Sequence, residues 1–271
     1  MNAENFSWRG RRVLVTGCTG FLGGAVAREL FAAGAEVVGL VHERAAADIF
    51  GPTQGGRVHF IHGRADNVFR LHSAMAVHEV AAVFHLAATD TPAVLQAAKL
   101  YARCVPVVAA KPLTQLALAR TDESHDDGLS VARFGAVFGP GDRKLYRLIP
   151  ATALGTLTGE RLALPPDGPA TDFVFVRDAA RACLRVAEDV AAHGPGDYPF
   201  QSGWRMSDRQ MAAVVREAFE ERTPQPPESA PPANPLGWAP ASTFSEAVGE
   251  TLAWYREFLR TGMGASLRAA A

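Results

Sequence analysis

Val13-Leu14-Val15-Thr16-Gly17-Cys18-Thr19-Gly20-Phe21-Leu22-Gly23 sets the terms on which the rest of the chain is read. Three consecutive apolar residues between Arg12 and a glycine turn have the pattern of a parallel strand buried on both faces. Val26, Leu30 and Phe31 then recur at helical spacing, Gly34 closes that helix, and residues 37–41 form the next strand. Strand, glycine turn, helix and strand make a βαβ unit of the kind that holds the pyrophosphate of a dinucleotide. Gly17 permits the tight turn, Gly20 lets the backbone approach the phosphates, and Gly23 lets helix and strand pack closely. Thr19, Phe21 and Leu22 complete the turn, and the helix amino end offers unpaired N–H groups and partial positive charge.

Working outward, further short strands are expected at 58–62, 82–86, 105–109 and 129–134, with alanine-rich helices near 69–77 and 92–102. Such alternation predicts an α/β fold, a Rossmann-type doubly wound parallel sheet with a smaller C-terminal substrate lobe. Residues 1–138 form the dinucleotide-binding domain, and 170–195 return to it through a strand at 173–176 and a helix at 178–188. Residues 139–169, rich in Gly, Pro and Leu, read as a lid, and with 196–271 they make up the smaller lobe. The proline-rich stretch 222–240 reads as a surface linker before a final amphipathic helix at 244–259.

Composition narrows the function classes. The 271 residues carry 27 Lys plus Arg against 28 Asp plus Glu, so no broad basic field attracts nucleic acid or a membrane surface. Cys18, Cys104 and Cys183 are far apart and form no Cys-x-x-Cys pair, which argues against a zinc site or a disulfide framework and fits a reducing cytoplasm. Neither a signal peptide nor a membrane-spanning run is expected. His59, His62, His72 and His78 lack metal-ligand spacing, and no Gly-x-Ser-x-Gly occurs, so metal and hydrolytic sites are not expected.

Cofactor choice is written at the end of the second strand. An NAD-selective site usually places a carboxylate there for the ribose 2′-hydroxyl, whereas this chain reads Leu40-Val41-His42-Glu43-Arg44 with Val41 at that place. His42 and Arg44 can pair with a 2′-phosphate, which favours NADPH. NADH is the alternative if His42 and Arg44 are solvated and Glu43 does the selecting.

The turn, His85-Leu86-Ala87-Ala88, Arg133-Phe134-Gly135-Ala136-Val137-Phe138-Gly139-Pro140-Gly141-Asp142 and Asp172-Phe173-Val174-Phe175-Val176 together resemble the extended short-chain dehydrogenase/reductases. Within that family the chain is most similar to the nucleotide-sugar 4,6-dehydratases, a likeness strengthened by Trp8 and by Leu236-Gly237-Trp238-Ala239-Pro240 with Trp254-Tyr255. The resemblance implies that Leu86, Ala87 and Ala88 pass the ribose and nicotinamide, and that Phe134 to Val137 approach the carboxamide. Where the family commonly has Gly-Asp, with the Asp on adenine, this chain has Gly63-Arg64, followed by Ala65 as a further contact. Arg64 can stack on adenine, reach a 2′-phosphate, or simply be solvated.

The resemblance also implies a Tyr and a Lys four residues apart on one helix, with a Ser or Thr nearby, and here the chain departs from it. Four residues after Tyr101, Tyr146, Tyr198 and Tyr255 stand Val105, Pro150, Ser202 and Leu259. The interval from His85 to Arg133 is a few dozen residues shorter than the family leads one to expect. Lys111 reads as the remnant of the pair, able to hydrogen-bond the nicotinamide ribose, with Pro112 at the first position of a helix. Thr89 and Thr114 are possible hydroxyl substitutes. Thr171 stands where nucleotide-sugar enzymes carry an arginine before Asp-Phe-Val.

No catalytic residue is therefore assigned, with Tyr146 and Arg147 as options for a relocated acid. A chain shortened in this way resembles the atypical angucyclinone ketoreductases of antibiotic biosynthesis. The resemblance implies an NADPH-dependent ketoreductase whose partner is a small polycyclic aromatic polyketide ketone, with the proton supplied by the substrate. The alternatives are a catalytically silent NADP(H) sensor and a nucleotide-sugar 4,6-dehydratase. The family often dimerises through two helices, one of which is shortened here, so a monomer is compatible with the sequence.

Overall fold

The computed structural model describes residues 6–41, 57–87, 91–101, 105–113, 128–159, 168–220 and 232–261. The chain divides into two units, the first holding its described residues up to Phe134 with Ala179–Phe200 and Pro235–Trp238. The second holds Gly135–Asp178, Gln201–Asn234 and Ala239–Ala271.

In the first unit β1 (Arg12–Thr16) leads through the glycine turn into α1 (Phe21–Ala32) and back to β2 (Glu36–Val41). β3 (Val58–His62), α2 (Val68–Val77), β4 (Ala82–His85), α3 (Thr91–Leu100), β5 (Val107–Pro112) and β6 (Leu129–Phe134) follow. Together with a later strand, Asp197–Phe200, they form a seven-stranded sheet in the order β3, β2, β1, β4, β5, β6, Asp197–Phe200. Every pairing in it is parallel. The fold is thus a doubly wound, Rossmann-type sheet, and its order reverses between β1 and β4, where ligands of such sheets bind at the strand carboxyl ends. Leu14, Val38, Leu40, Val83 and Val107 fill one face against Leu71, Met75, Val94 and Ala97 of α2 and α3. That burial supplies the main hydrophobic stabilisation of this layer.

β5 corrects the expectation for residues 105–112. The strand runs through Lys111 and Pro112, which pair in register with Arg133 and Phe134, so Pro112 does not open a helix. The reason lies in the ladder. Val83 N donates to Pro106 O, so even-numbered residues of β5 point their amides toward β4. Pairing with β4 ends at His85 opposite Ala109, and the N–H that Pro112 lacks has no β4 partner to lose. On the β6 side Leu113 N donates to Phe134 O at 2.6 Å and carries the ladder on.

The second unit is built on a three-stranded sheet of β7 (Ala136–Phe138), β8 (Thr171–Phe175) and, after the Asp197–Phe200 strand (β9), β10 (Arg205–Met206). The expected lid contains a helix, α4 (Leu148–Thr158), ended by Gly159 in the left-handed conformation at φ +73°. Pro150 sits in its first turn, where no intrahelical donor is needed. α5 (Val176–His193), which from Ala179 onward belongs to the first unit, is longer than expected. α6 (Asp208–Phe219) and α7 (Phe244–Arg260) each begin with a capping box, at Ser207 with Gln210 and at Thr243 with Glu246. No described helix is long and apolar enough to cross a membrane.

Candidate dinucleotide site

The turn after β1 is shaped by close backbone approach. Gly17 has φ +71°, and a Cβ on it would lie 2.7 Å from Leu86 C and Ala87 N at the end of β4. A Cβ on Gly23 would lie 2.0 Å from Gly17 O, so the first turn of α1 rests directly on the glycine loop. A Cβ on Gly20 would meet only Gly17 O within 4 Å, at 3.1 Å, and both Thr19 and Gly20 are exposed. Gly20 is the N-cap of α1 with no side-chain cap, and the first turn holds no acidic residue. The amides of Phe21, Leu22 and Gly23 therefore lack intrahelical acceptors, and the helix dipole is uncompensated beside an open backbone. The cradle fits a pyrophosphate.

Two further contacts stiffen this turn. Thr16 Oγ1 and His85 Nδ1 lie 2.8 Å apart, both buried, and tie the ends of β1 and β4 together beneath Gly17. Leu86 N donates to Thr16 O at 3.1 Å. Cys18 is buried with its sulfur against β2, where a Cβ on Gly39 would come within 2.8 Å of it. Burial pushes that thiol up to about 11. Sequence reasoning missed the structural roles of His85 and Gly39; the His-Leu-Ala-Ala motif and a glycine inside an apolar strand were the available signals.

The remaining expected contacts fall as follows. Val41 ends β2, and His42, Glu43, Arg44, Ala88, Thr89 and Thr114 lie outside the described residues. Leu86 and Ala87 are half-buried immediately beside Gly17. Arg64 is exposed and bound to Asp66, while Ala65 is buried in the core. Lys111 is exposed on β5, opposite Arg133, whose Nε donates to Asp197 at 2.7 and 2.8 Å. Phe134 ends β6 with its ring buried and stacked on Phe200, centroids 5.7 Å apart, so only its backbone is available to a ligand. Val137 belongs to the second unit, half-buried on β7 and paired with Val174.

None of the tyrosines stands in the arrangement the family resemblance implied. Tyr198 Oη donates to Asp189 at 2.8 Å, and its pKa is raised by burial and that carboxylate. Tyr255 Oη donates to the Asp142 carbonyl at 2.8 Å and is likewise raised by burial. Tyr101 follows α3 and is buried in the core, and Tyr146 is exposed in the second unit. Asp172 is structural: its buried carboxylate accepts from Ser202 N, Gly203 N and Ser202 Oγ at 2.8 to 3.2 Å. Burial nevertheless raises its pKa. Among the described residues no group of His, Cys, Asp and Glu could hold a metal ion.

A sequence profile of the NAD-dependent epimerase/dehydratase family matches residues 13–119 and 99–199. The two matches overlap at residues 99–119, within the interval between His85 and Arg133. No protein of curated function matches the sequence. The fold is similar to that of an epimerase from Methanothermobacter thermautotrophicus, at 21% identity, TM-score 0.74 and 94% coverage of each chain. It is also similar to Bordetella bronchiseptica WbmF in complex with NADH, at 20% identity and TM-score 0.73, covering 96% of this chain and 95% of that one. A third similar structure is dTDP-glucose 4,6-dehydratase from Bacillus anthracis in complex with NAD, at 17% identity and TM-score 0.70, covering 92% and 97%. At these identities the likeness is one of fold.

Proposed function

The chain belongs to the NAD-dependent epimerase/dehydratase family, and from that premise we propose that it is an NADPH-dependent ketoreductase of antibiotic biosynthesis. Its substrate in this reading is a polycyclic aromatic polyketide ketone of the angucyclinone type. The observation that carries the reading is a phosphate cradle kept intact in a chain where no tyrosine stands four residues before a lysine. The substrate class rests on the resemblance to the atypical ketoreductases.

Bound NADPH would supply hydride to the carbonyl carbon. The turn from Gly17 to Gly23 and the first amides of α1 would hold the pyrophosphate, with Leu86 and Ala87 available to the ribose and nicotinamide. Lys111 would hydrogen-bond the nicotinamide ribose. Val41 leaves the end of β2 without the carboxylate that would repel a 2′-phosphate. The alkoxide formed on the substrate takes the proton of a phenol beside the carbonyl, and water reprotonates the phenolate. The protein contributes position and exclusion of water, effects that are large without a side-chain acid. A nucleotide-sugar 4,6-dehydratase is the weaker reading, because Thr171 offers no charge to a diphosphate.

The test pairs a phenol-flanked polycyclic ketone with its O-methyl ether. Loss of reduced-nicotinamide absorbance is expected with NADPH and the phenol, and the ether should react at least about 100-fold more slowly, the scale of general acid catalysis. Equal rates for both would place the proton donor on the protein. Tight NADPH binding without oxidation by any such ketone would overturn the reductase reading and favour a sensor.

A further inference from the structure

The carboxyl end of β3 carries a charge pair whose position bears on cofactor choice. Val41 and His62 are register partners at the ends of β2 and β3, and Gly63 N donates to Val41 O at 3.0 Å. Beyond them the backbone is pinned. Asn67 N donates to Arg64 O at 3.3 Å, Arg70 Nε donates to His62 O at 3.0 Å, and Ala65 is buried with Leu40, Leu71 and Met75. This fixed loop adjoins the strand end at which an NAD site carries its ribose-binding carboxylate.

From it the Arg64 side chain extends into solvent, 65% exposed, and grips Asp66 with two nitrogens. Nε lies 3.1 and 3.0 Å from the two carboxylate oxygens, and Nη2 lies 2.6 Å from Oδ2. A guanidinium fork that holds a carboxylate in this way holds a phosphate equally well.

We propose that Arg64 selects for the 2′-phosphate of NADPH, and that Asp66 is a positioning residue which holds Arg64 until the phosphate replaces it. The proposal rests on the reading of the glycine cradle as a dinucleotide site. An ion pair this exposed is worth little, so the exchange of partners is cheap. A phosphate dianion attracts the guanidinium more strongly than a carboxylate does. A 2′-hydroxyl cannot displace Asp66, so with NADH the pair stays closed.

The experiment measures dissociation constants of NADPH and NADH by nicotinamide fluorescence, and of adenosine 2′,5′-bisphosphate and 5′-AMP by calorimetry, on the full chain. Arg64→Ala should weaken NADPH and the bisphosphate about 10- to 100-fold, the scale of a charge-assisted hydrogen bond. NADH and AMP should each move less than about twofold. Arg64→Lys should recover only part of the loss, because it cannot form the fork. Asp66→Asn should tighten NADPH a few-fold and leave NADH alone, and the double variant should behave as Arg64→Ala. Equal weakening of NADPH and NADH by Arg64→Ala would overturn the proposal in favour of adenine stacking, and unchanged NADPH binding would overturn it outright. Failure of the unmodified chain to bind any dinucleotide would remove the cofactor reading as well, whereas intact NADPH binding with a silent Arg64→Ala would remove only the role of Arg64.

Discussion

Gly23→Ala sets two physical expectations against each other. Gly23 lies in the first turn of α1, and replacing glycine by alanine in a helix normally gains about 1 kcal/mol. Here the added Cβ would meet Gly17 O at 2.0 Å, Gly17 C at 2.7 Å and Cys18 Cα at 3.2 Å, all of them backbone atoms with no rotamer to turn aside. Gly17 cannot retreat, because its own Cβ position is already 2.7 Å from Leu86 C and Ala87 N. Relief requires the turn or the helix start to move by about 1 Å, and overpacking of this kind costs about 1–3 kcal/mol. The variant should therefore melt several degrees below the unmodified chain, at about 2–4 °C per kcal/mol. Its affinity for NADPH should fall at least about tenfold, since the displaced backbone is the proposed pyrophosphate cradle. Gly249→Ala is the matched control. Gly249 lies in α7 with nothing within 4 Å of its Cβ position, so the same exchange there should raise the melting temperature by a few degrees and leave NADPH binding unchanged. Thermal melts and cofactor fluorescence titrations on both variants decide the matter. A Gly23→Ala protein that melts at or above the parent and binds NADPH equally well would refute the close-approach argument.

The tyrosines offer a second test: Tyr255→Phe leaves the buried Asp142 carbonyl without its donor and should cost about 1–3 kcal/mol, with Tyr198→Phe costing about 1 kcal/mol through the lost bond to Asp189. Turnover per folded molecule should stay within about twofold in both, and a loss of 100-fold or more with NADPH binding intact would identify a tyrosine proton donor. The third concerns pH. His78 titrates below its ordinary value of 6.5 because of partial burial, His59 and the Arg12 guanidinium, in a cluster that also holds Glu36 and Glu79. The unfolded chain then binds the extra proton first, so this contribution to stability is present above pH 6.5 and lost as the pH falls through that value toward the folded pKa. Melting curves between about pH 8 and pH 5 should fall less steeply for His78→Gln than for the parent, and parallel curves would dismiss the effect.

The βαβ unit was legible because its signals are local. Val13-Leu14-Val15 could only be a strand buried on both faces, and Gly17, Gly20 and Gly23 each answer a steric demand made within a few residues. Lys111 and Pro112 were misread because proline is favoured at a helix start, and what tolerates Pro112 in a strand is the early end of β4, a non-local fact. α4 was hidden by Pro150 and Gly155, which break helices in general and are accommodated here by position. At the site, the Arg64 and Asp66 pair was invisible because it depends on the rotamer of one exposed side chain, and the Thr16 to His85 bond because it joins two strands 69 residues apart.

The slot that Gly39 leaves for Cys18 has a chemical consequence beyond packing. Electrophiles and oxidants attack exposed thiolates, not buried thiols. Cys18 and Cys183 are both fully buried, with their thiols pushed up to about 11 and about 12, so each stays a neutral S–H out of reach. A sulfur folded into the floor of the glycine turn is thus kept from oxidants and electrophiles, and the turn keeps its shape under conditions in which an exposed thiol would react.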